Sequence, residues 1–196
     1  DGRPVANQGD LAAALRERVG QQVLLVLQRG ERSPHRTVVI PISPDADALL
    51  RYGDWVEGRR LAVEQAGDGR LGYLHLRAMG AADMANFVRE FYAQYDREGL
   101  IIDVRRNRGG NIDSWIIDKL LRRTWAFWQQ PGFNNRNWNM QQSFRGHLVV
   151  LADQYTYSDG ETFAAGVKAL GLGPVIGMRT AGAGIWLSGR NRLLDG

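Results

Sequence analysis

An α/β layered fold with mainly parallel strands is predicted by three features of the second half of this chain. Short, almost continuously apolar runs, "LIIDVR" and "HLVVLAD", read as strands buried on both faces, as parallel strands are. Each leads into a turn bearing glycine or serine, "NRGGN" and "YTYSDG". A run with helical periodicity then follows, so strands and helices alternate, the pattern of helices packed on a shared sheet.

The elements are predicted in order. "DLAAALRERVG" sets Leu11, Ala14, Leu15 and Val19 at helical spacing, with Asp10 as N-cap and Gly20 as C′ residue. "QQVLLVLQRG" and "RTVVIPIS" read as two strands separated by the turn-like "GERSPH". These first ~40 residues are too few for a comfortable domain. Ser43 to Gly69 reads as a linker, a short helical stretch, a strand over "RRLAVEQA" and a turn at Gly67-Asp68-Gly69. "GRLGYLHLRAM" is a strand, and "ADMANFVREFYAQYDREG" a helix with Met84, Phe87, Val88, Phe91 and Tyr95 on one face. "LIIDVR" is followed by one long helix over "IDSWIIDKLLRRTWAFW", then an irregular loop from Gln129 to Phe144. "HLVVLAD", the helix "DGETFAAGVKALG" and the strand "PVIGMRT" complete the alternation.

Composition narrows the function. Hydrophobic residues make up 44% and charged residues 23%, a normal globular balance. The net charge of +4 is carried almost wholly by scattered arginines, with clusters at Arg59-Arg60, Arg105-Arg106 and Arg122-Arg123. A nucleic-acid footprint is more often one dense stripe, so no nucleic-acid partner is expected. The chain has no cysteine, which excludes disulfides, cysteine nucleophiles and thiolate metal sites but fits any redox compartment. No apolar run approaches the ~20 residues of a membrane span, and no membrane partner is expected. There is no zinc-type His/Glu motif, P-loop or GxGxxG with an acidic partner, so neither metal nor cofactor is expected. No signal peptide is visible; the chain opens on "DGRPVANQGD" without Met and closes on "GRNRLLDG", and reads as a piece of something longer. An exported and a cytoplasmic location both fit.

Two strand–helix junctions stand out as a site. In open α/β sheets ligands bind at the carboxyl ends of the strands. "IIDVRRNRGGN" offers bare backbone N–H groups at Gly109 and Gly110, and "LADQYTYSDGE" offers the Ser158 hydroxyl at a helix N-terminus. A tetrahedral oxyanion needs N–H donors beside the attacking atom; Gly109 or Gly110 could supply one and Asp159 the other, each worth ~3–4 kcal/mol. Against this stands a structural reading. "SDGE" is a capping box in which Ser158 caps the helix and Glu161 reaches back. Asp159 is likewise a charge favoured in a first helical turn.

The blocks "GYLHLRAMG", "LIIDVRRNRGGNIDSWIIDKL", "HLVVLADQYTYSDGETFAAG" and "GPVIGMRTAGAGIWLS" resemble the core of tricorn-like serine peptidases, within the C-terminal processing peptidase superfamily. The resemblance spans residues 69–196 and implies a ClpP/crotonase-like layered core, truncated at its C-terminus. Residues 1–42 look like the latter part of a PDZ domain, with residues 43–68 as linker. The resemblance implies Ser158 as nucleophile, with Asp159 and a glycine of the first junction forming the oxyanion hole. One branch of this superfamily uses a lysine about twenty-five residues after the serine; that turn reads "TAGAG" here, with Ala183 at the position, and Lys168 lies along the helix instead. The tricorn-like branch uses a histidine placed before the PDZ domain, helped by a second serine and by a glutamate after the core, so the general base is expected outside residues 1–196. None of the histidines present suits that role. His147 opens its strand, ~20 Å from Ser158 at ~3.3 Å per residue; His75 lies on a strand face and His35 in a turn. The substrate implied is a peptide or unfolded polypeptide, and a homo-oligomer, trimer or hexamer, is implied as well.

Other residues have weaker readings. "RRNR" (Arg105 to Arg108) could hold a peptide carboxylate or be solvated loop charge. Asp103 is expected to pair with a neighbouring arginine. Trp125, Phe127 and Trp128 are expected in a core or subunit interface, and "FNNRNWNMQQSF" in a substrate wall. Two other function classes stay open: a non-catalytic PDZ or peptide-binding scaffold, and a crotonase-like acyl-CoA enzyme, which would need an acidic residue in the pocket.

Overall fold

The computed structural model describes residues 4–185; residues 1–3 and 186–196 lie outside the described residues, including "GRNRLLDG" and the end of "GPVIGMRTAGAGIWLS". The chain divides into two compact units, Asp1–Trp55 and Val56–Gly196.

The first unit opens with α1 (Gln8–Leu15). Its N-cap is Asn7, whose side chain accepts the Asp10 N–H at 3.0 Å, so the expected cap Asp10 sits instead in the first turn. The helix stops at Leu15, and Gly20 (φ +78°) is not its C′ residue but part of the turn before β1, donating its N–H to Pro41 O at 2.9 Å. β1 (Val23–Leu27) and β2 (His35–Val39) form the expected strand pair, antiparallel, with Val23 opposite Val39 and Leu27 opposite His35. Its described residues include no fully buried side chain.

Helix α2 (Pro44–Ala66) runs unbroken for 23 residues through the segment read as linker, short helix and strand. The strand expectation over "RRLAVEQA" fails because Arg, Leu, Ala, Glu and Gln are strong helix formers. Charges spaced three and four apart also favour one helix face. Asp47 pairs with Arg51 at 2.7 Å, and Arg60 with Glu57 at 2.7 Å and Glu64 at 2.8 Å. Ser43 Oγ accepts the Ala46 N–H at 3.1 Å and Pro44 opens the helix, where a missing N–H costs nothing.

The second unit is built on a four-stranded, all-parallel sheet in the order β3-β4-β7-β8. These strands are Leu71–His75, Gly99–Asp103, His147–Ala152 and Val175–Gly177. Helices α3 (Ala81–Tyr92), α4 (Asp113–Leu121) and α5 (Asp159–Ala169) fall between them in sequence. Phe87 and Phe91 of α3 are buried and stacked at 5.2 Å, with Met84, Val88 and Tyr95 packed around the same core, as the periodicity predicts. Leu74, Leu100, Ile102 and Val150 from the strands and Ile116, Phe163 and Val167 from α4 and α5 complete it.

Helix α4 is shorter than predicted. It ends at Leu121, and β5 (Ala126–Gln129) pairs antiparallel with β6 (Arg136–Asn139) across a Pro131-Gly132 turn. Aromatic residues favour strands over helices, and the Pro-Gly pair marks the reversal. Trp125, Phe127 and Trp128 are therefore not core residues: they are 72%, 59% and 59% exposed. No helix among the described residues is long and apolar enough to cross a membrane.

The helical state of α2 is directly testable. Gly58 lies in its interior with open space around the position a Cβ would take. Gly58→Ala should stabilise the protein by about 0.5–1 kcal/mol through helix propensity, read as a higher urea midpoint. A lower midpoint would contradict the helix.

Candidate active site

Because β4 and β7 are neighbours with Asp103 opposite Leu151, the segments that leave their carboxyl ends run side by side. Four bonds fasten them. Val104 N–H donates to Leu151 O at 2.9 Å and Tyr157 N–H to Asn107 O at 2.9 Å. Thr156 Oγ1 donates to Val104 O at 2.9 Å and Arg106 N–H to Asp153 Oδ1 at 2.9 Å. The two junctions singled out in the sequence thus form one surface.

Ser158 sits at φ +52°, ψ −119°. That conformation belongs to the second residue of a II′-type turn, usually glycine's, and the turn is closed by Gly160 N–H to Tyr157 O at 3.0 Å. Holding a non-glycine residue there costs on the order of 1–3 kcal/mol and needs support from its surroundings. Only part of the capping reading survives. Ser158 N–H donates to Glu161 Oε2 at 2.8 Å, but the Ser158 hydroxyl makes no side-chain cap hydrogen bond. Among the described residues the hydroxyl has no hydrogen-bond partner.

Gly109 packs against it. A Cβ on Gly109 would lie 2.6 Å from Ser158 Cβ and 3.1 Å from its Oγ. The Gly109 N–H is already engaged, donating to Asn107 Oδ1 at 2.8 Å, which leaves Gly110 as the glycine with a free amide. Gly110 (φ +154°) has no room for a Cβ, which would run into the Met79 carbonyl. Among the described residues neither the Gly110 nor the Asp159 N–H has a hydrogen-bond partner. Both residues line, with Ser158, a cleft of about 390 Å³ whose walls include Met79, Thr162 and Ile185.

The side chains of the turn have structural duties the sequence did not reveal. Asp159, only 4% exposed, accepts the N–H groups of Ile112 at 2.8 Å and Asp113 at 3.1 Å, so it caps α4 rather than facing the cleft as a free charge. Burial raises its pKa above the ordinary value despite those bonds, and the nearby Asp113 charge adds to the effect. Glu161 gathers four bonds on one carboxylate: Ser158 N–H, Thr180 Oγ1 at 2.7 Å, Gly182 N–H at 2.6 Å and Ala183 N–H at 2.8 Å. Burial alone would push its pKa up, but these donors outweigh it and hold the carboxyl below its ordinary range. Ala183, where the lysine of the other branch would stand, is here a backbone donor to this carboxylate. Asn107 is wholly buried and anchors the first junction through Nδ2 to Leu76 O at 2.7 Å. An Asn two residues before a glycine pair is its signal in the sequence.

Asp103 is paired as expected, with Arg105 Nη2 at 2.6 Å, and also accepts the Tyr73 hydroxyl at 2.8 Å. His75 is 8% exposed with Nε2 3.0 Å from Arg105 O, and burial lowers its pKa. His147 opens β7, at the edge opposite the cleft, and Lys168 lies in the last turn of α5, ~15 Å along the helix from Ser158. Among the described residues the cleft is lined by no histidine or lysine, and no residue of "FNNRNWNMQQSF" reaches it, contrary to the expected substrate wall. No cluster of metal-ligating side chains occurs among the described residues.

At the cleft, neighbouring strand ends of the parallel sheet hold a strained serine against a glycine turn. The chain belongs to peptidase family S41, whose sequence pattern matches residues 70–193. It is 38% identical over 194 residues to Tricorn protease homolog 1 of Streptomyces coelicolor, covering 98% of this chain and 18% of that protein. It is 33% identical over 196 residues to the Tricorn protease of Thermoplasma acidophilum, covering 100% of this chain and 18% of that protein. A crystal structure of the tricorn protease matches with a TM-score of 0.84 at 31% identity, over 100% of this chain and 19% of the other. The chain thus spans about a fifth of the length of these relatives.

Two expectations follow from the geometry. Gly110→Ala should destabilise by roughly 1–3 kcal/mol, because the added methyl meets the Met79 carbonyl; an unchanged denaturant midpoint would show the turn is looser than described. The Glu161 carboxylate, with a depressed folded-state pKa, should contribute stability that is present above its unfolded value near 4.3 and lost as pH falls through the folded pKa. The gap in Tm between the protein and Glu161→Gln should therefore be widest at neutral pH and close below about pH 4. A pH-independent gap would refute the charge as its source.

Proposed function

We propose that this chain supplies the nucleophile and oxyanion donors of a serine peptidase that hydrolyses peptides or unfolded polypeptides by acyl transfer. The observation that carries this reading is the Ser158 turn: a strained serine packed on Gly109 and sharing a cleft with two amides, the hydroxyl and both amides without a hydrogen-bond partner among the described residues. In the reaction Ser158 Oγ attacks the scissile carbonyl, and the carbonyl oxygen, becoming an oxyanion, is held by the N–H groups of Asp159 and Gly110. Each such donor is worth ~3–4 kcal/mol in the transition state. The Asp159 side chain acts indirectly, by fixing its own backbone through α4. The base takes the Ser158 proton and passes it to the amine as the C–N bond breaks, and water then cleaves the acyl–serine ester, giving the carboxylic acid and restoring the hydroxyl.

A bare hydroxyl is a weak nucleophile at neutral pH and needs a base within ~3 Å. None of the described side chains lining the cleft offers one; the tricorn-like resemblance implies a histidine outside residues 1–196, assisted by a second serine and a glutamate. Residues 1–42 are read as the latter part of a PDZ domain, residues 43–68 as a helical connection and 69–196 as the peptidase core. The working enzyme is a homo-oligomer of trimeric or hexameric order, and neither metal nor cofactor takes part. An acyl-CoA reaction of the crotonase kind is disfavoured because Asp159, the acid at the cleft, has its carboxyl bonded to the N-terminus of α4.

A fluorophosphonate probe on the full-length protein should label Ser158, and Ser158→Ala should abolish the label. The isolated chain 1–196 should show negligible peptide turnover. Absence of labelling in the full-length protein, or cleavage by the isolated chain that Ser158→Ala removes, would sink the first and second parts of this reading respectively.

A further inference from the structure

Among the described residues, every main-chain N–H from Asn107 to Asp113 is bonded except that of Gly110. Asn107 donates to Val104 O at 3.0 Å, Arg108 to Arg77 O at 3.1 Å and Asn111 to Met79 O at 2.9 Å. Ile112 and Asp113 donate to the Asp159 carboxylate. The Gly109 N–H reaches no carbonyl; its acceptor is the Asn107 side chain, with Oδ1 at 2.8 Å. Two adjacent glycines thus offer two amides of equal chemistry, and one side chain takes the first of them out of use. The second belongs to Gly110, which lines the cleft with Ser158 and Asp159.

Asn107 is built for this task. It is wholly buried, and Nδ2 donates to Leu76 O at 2.7 Å, just beyond β3. Its own carbonyl accepts the Tyr157 N–H at 2.9 Å, one residue before Ser158. Its side chain also abuts the first turn of α5, because a Cβ on Gly160 would lie 2.7 Å from Asn107 Oδ1. One short planar group therefore touches both the glycine turn and the residue after Asp159. The task needs a donor and an acceptor on the same side chain: an ionised aspartate has no donor for Leu76 O, and alanine has neither group.

We propose that Asn107 is a positioning residue for the oxyanion hole: by holding the Gly109 N–H on Oδ1 it leaves the Gly110 N–H as the donor that faces the cleft beside the Asp159 N–H. This rests on the reading of Ser158 as nucleophile and deepens it by naming the residue that selects the donor. Asn107 touches no substrate and acts through the peptide groups of the turn. Donors fixed before the reaction need no reorganisation as charge develops on the carbonyl oxygen, which is where their benefit lies. Without Oδ1 the Gly109 N–H would be buried and unsatisfied, and the glycine pair, with its broad conformational freedom, would rotate to find it a partner.

Two experiments on the full-length protein test this. Asn107→Ala, checked by circular dichroism for an unchanged fold, should lower kcat on Ac-Ala-Ala-Leu-aminomethylcoumarin by about a hundredfold, with KM within about threefold of the parent value. Affinity for the boronic acid Ac-Ala-Ala-boroLeu, whose tetrahedral adduct places an oxygen in the hole, should fall similarly, while affinity for the unreactive Ac-Ala-Ala-Leu amide stays the same. An unchanged kcat, or a loss carried by KM and by the amide alike, would make Asn107 a structural residue only and overturn the proposal. Hydrogen exchange on the unsubstituted protein, read residue by residue by mass spectrometry, needs no variant to fold. Without ligand the Gly109 amide should exchange at least about tenfold more slowly than that of Gly110, and the boronate should slow Gly110 and leave Gly109 unchanged. Equal rates in the free protein, or protection gained at Gly109 instead of Gly110, would overturn it equally. The ligand-free contrast does not use the Ser158 hydroxyl, so a failed fluorophosphonate experiment and a failed exchange experiment point to different errors.

Discussion

Everything at the candidate site depends on the adjacency of β4 and β7. Parallel neighbours place their carboxyl ends side by side, and the chain leaving each strand must turn away over the same edge of the sheet. Two such segments can come close only if one of them lacks a side chain at the crossing point. Gly109 meets that condition, and the space a Cβ would fill is held by Ser158. Asn107 then locks the crossing: its side chain ties the first segment to β3 through Leu76 O, and its carbonyl takes the N–H of Tyr157. A hydroxyl 51 positions beyond Asn107 is thereby fixed to the glycine turn.

Strain and support are balanced across this turn. A serine at φ +52° is unfavourable by itself, and the neighbouring bonds offset it. Glu161 holds the Ser158 amide from one side and the amides of Gly182 and Ala183 from the other, so the cleft wall that continues to Ile185 is tied to the serine through one carboxylate. Asp159 does the equivalent for α4. Two acids in the first turn of α5 therefore serve three elements at once, which explains why neither is available as a free charge in the cleft. Conformational strain placed where chemistry is expected, and relieved by bonds that do not touch the reacting group, leaves the hydroxyl free.

Much of the sheet and most of its helices were legible because burial leaves a periodic mark in sequence. "LIIDVR" and "HLVVLAD" are almost continuously apolar because both faces are covered, and the Phe87/Phe91 stripe of α3 repeats every four residues because one face is. The failures share a cause as well. "RRLAVEQA" holds a short apolar run between polar residues, as a short strand does, yet it lies within a helix that has no buried residue and carries ion pairs spaced three and four apart. "TWAFWQ" reads as a continuation of α4 until the Pro-Gly reversal is given its weight, and its aromatic residues stand exposed on a hairpin.

The sequence by itself determined the alternating strands and helices of the core, the two turns that matter, and the residue types able to perform acyl transfer. It left Ser158 with two meanings, cap or nucleophile, because "SDGE" satisfies both locally. Only the tertiary structure decided that the hydroxyl is not used in capping, that Gly109's amide is taken and Gly110's is not, and that Glu161 reaches residues 180–183. The physical reason is range. Periodicity and capping are written in neighbours a few positions apart, whereas the partner of a buried donor is chosen by which strands lie side by side, and that is settled by packing between residues tens of positions apart.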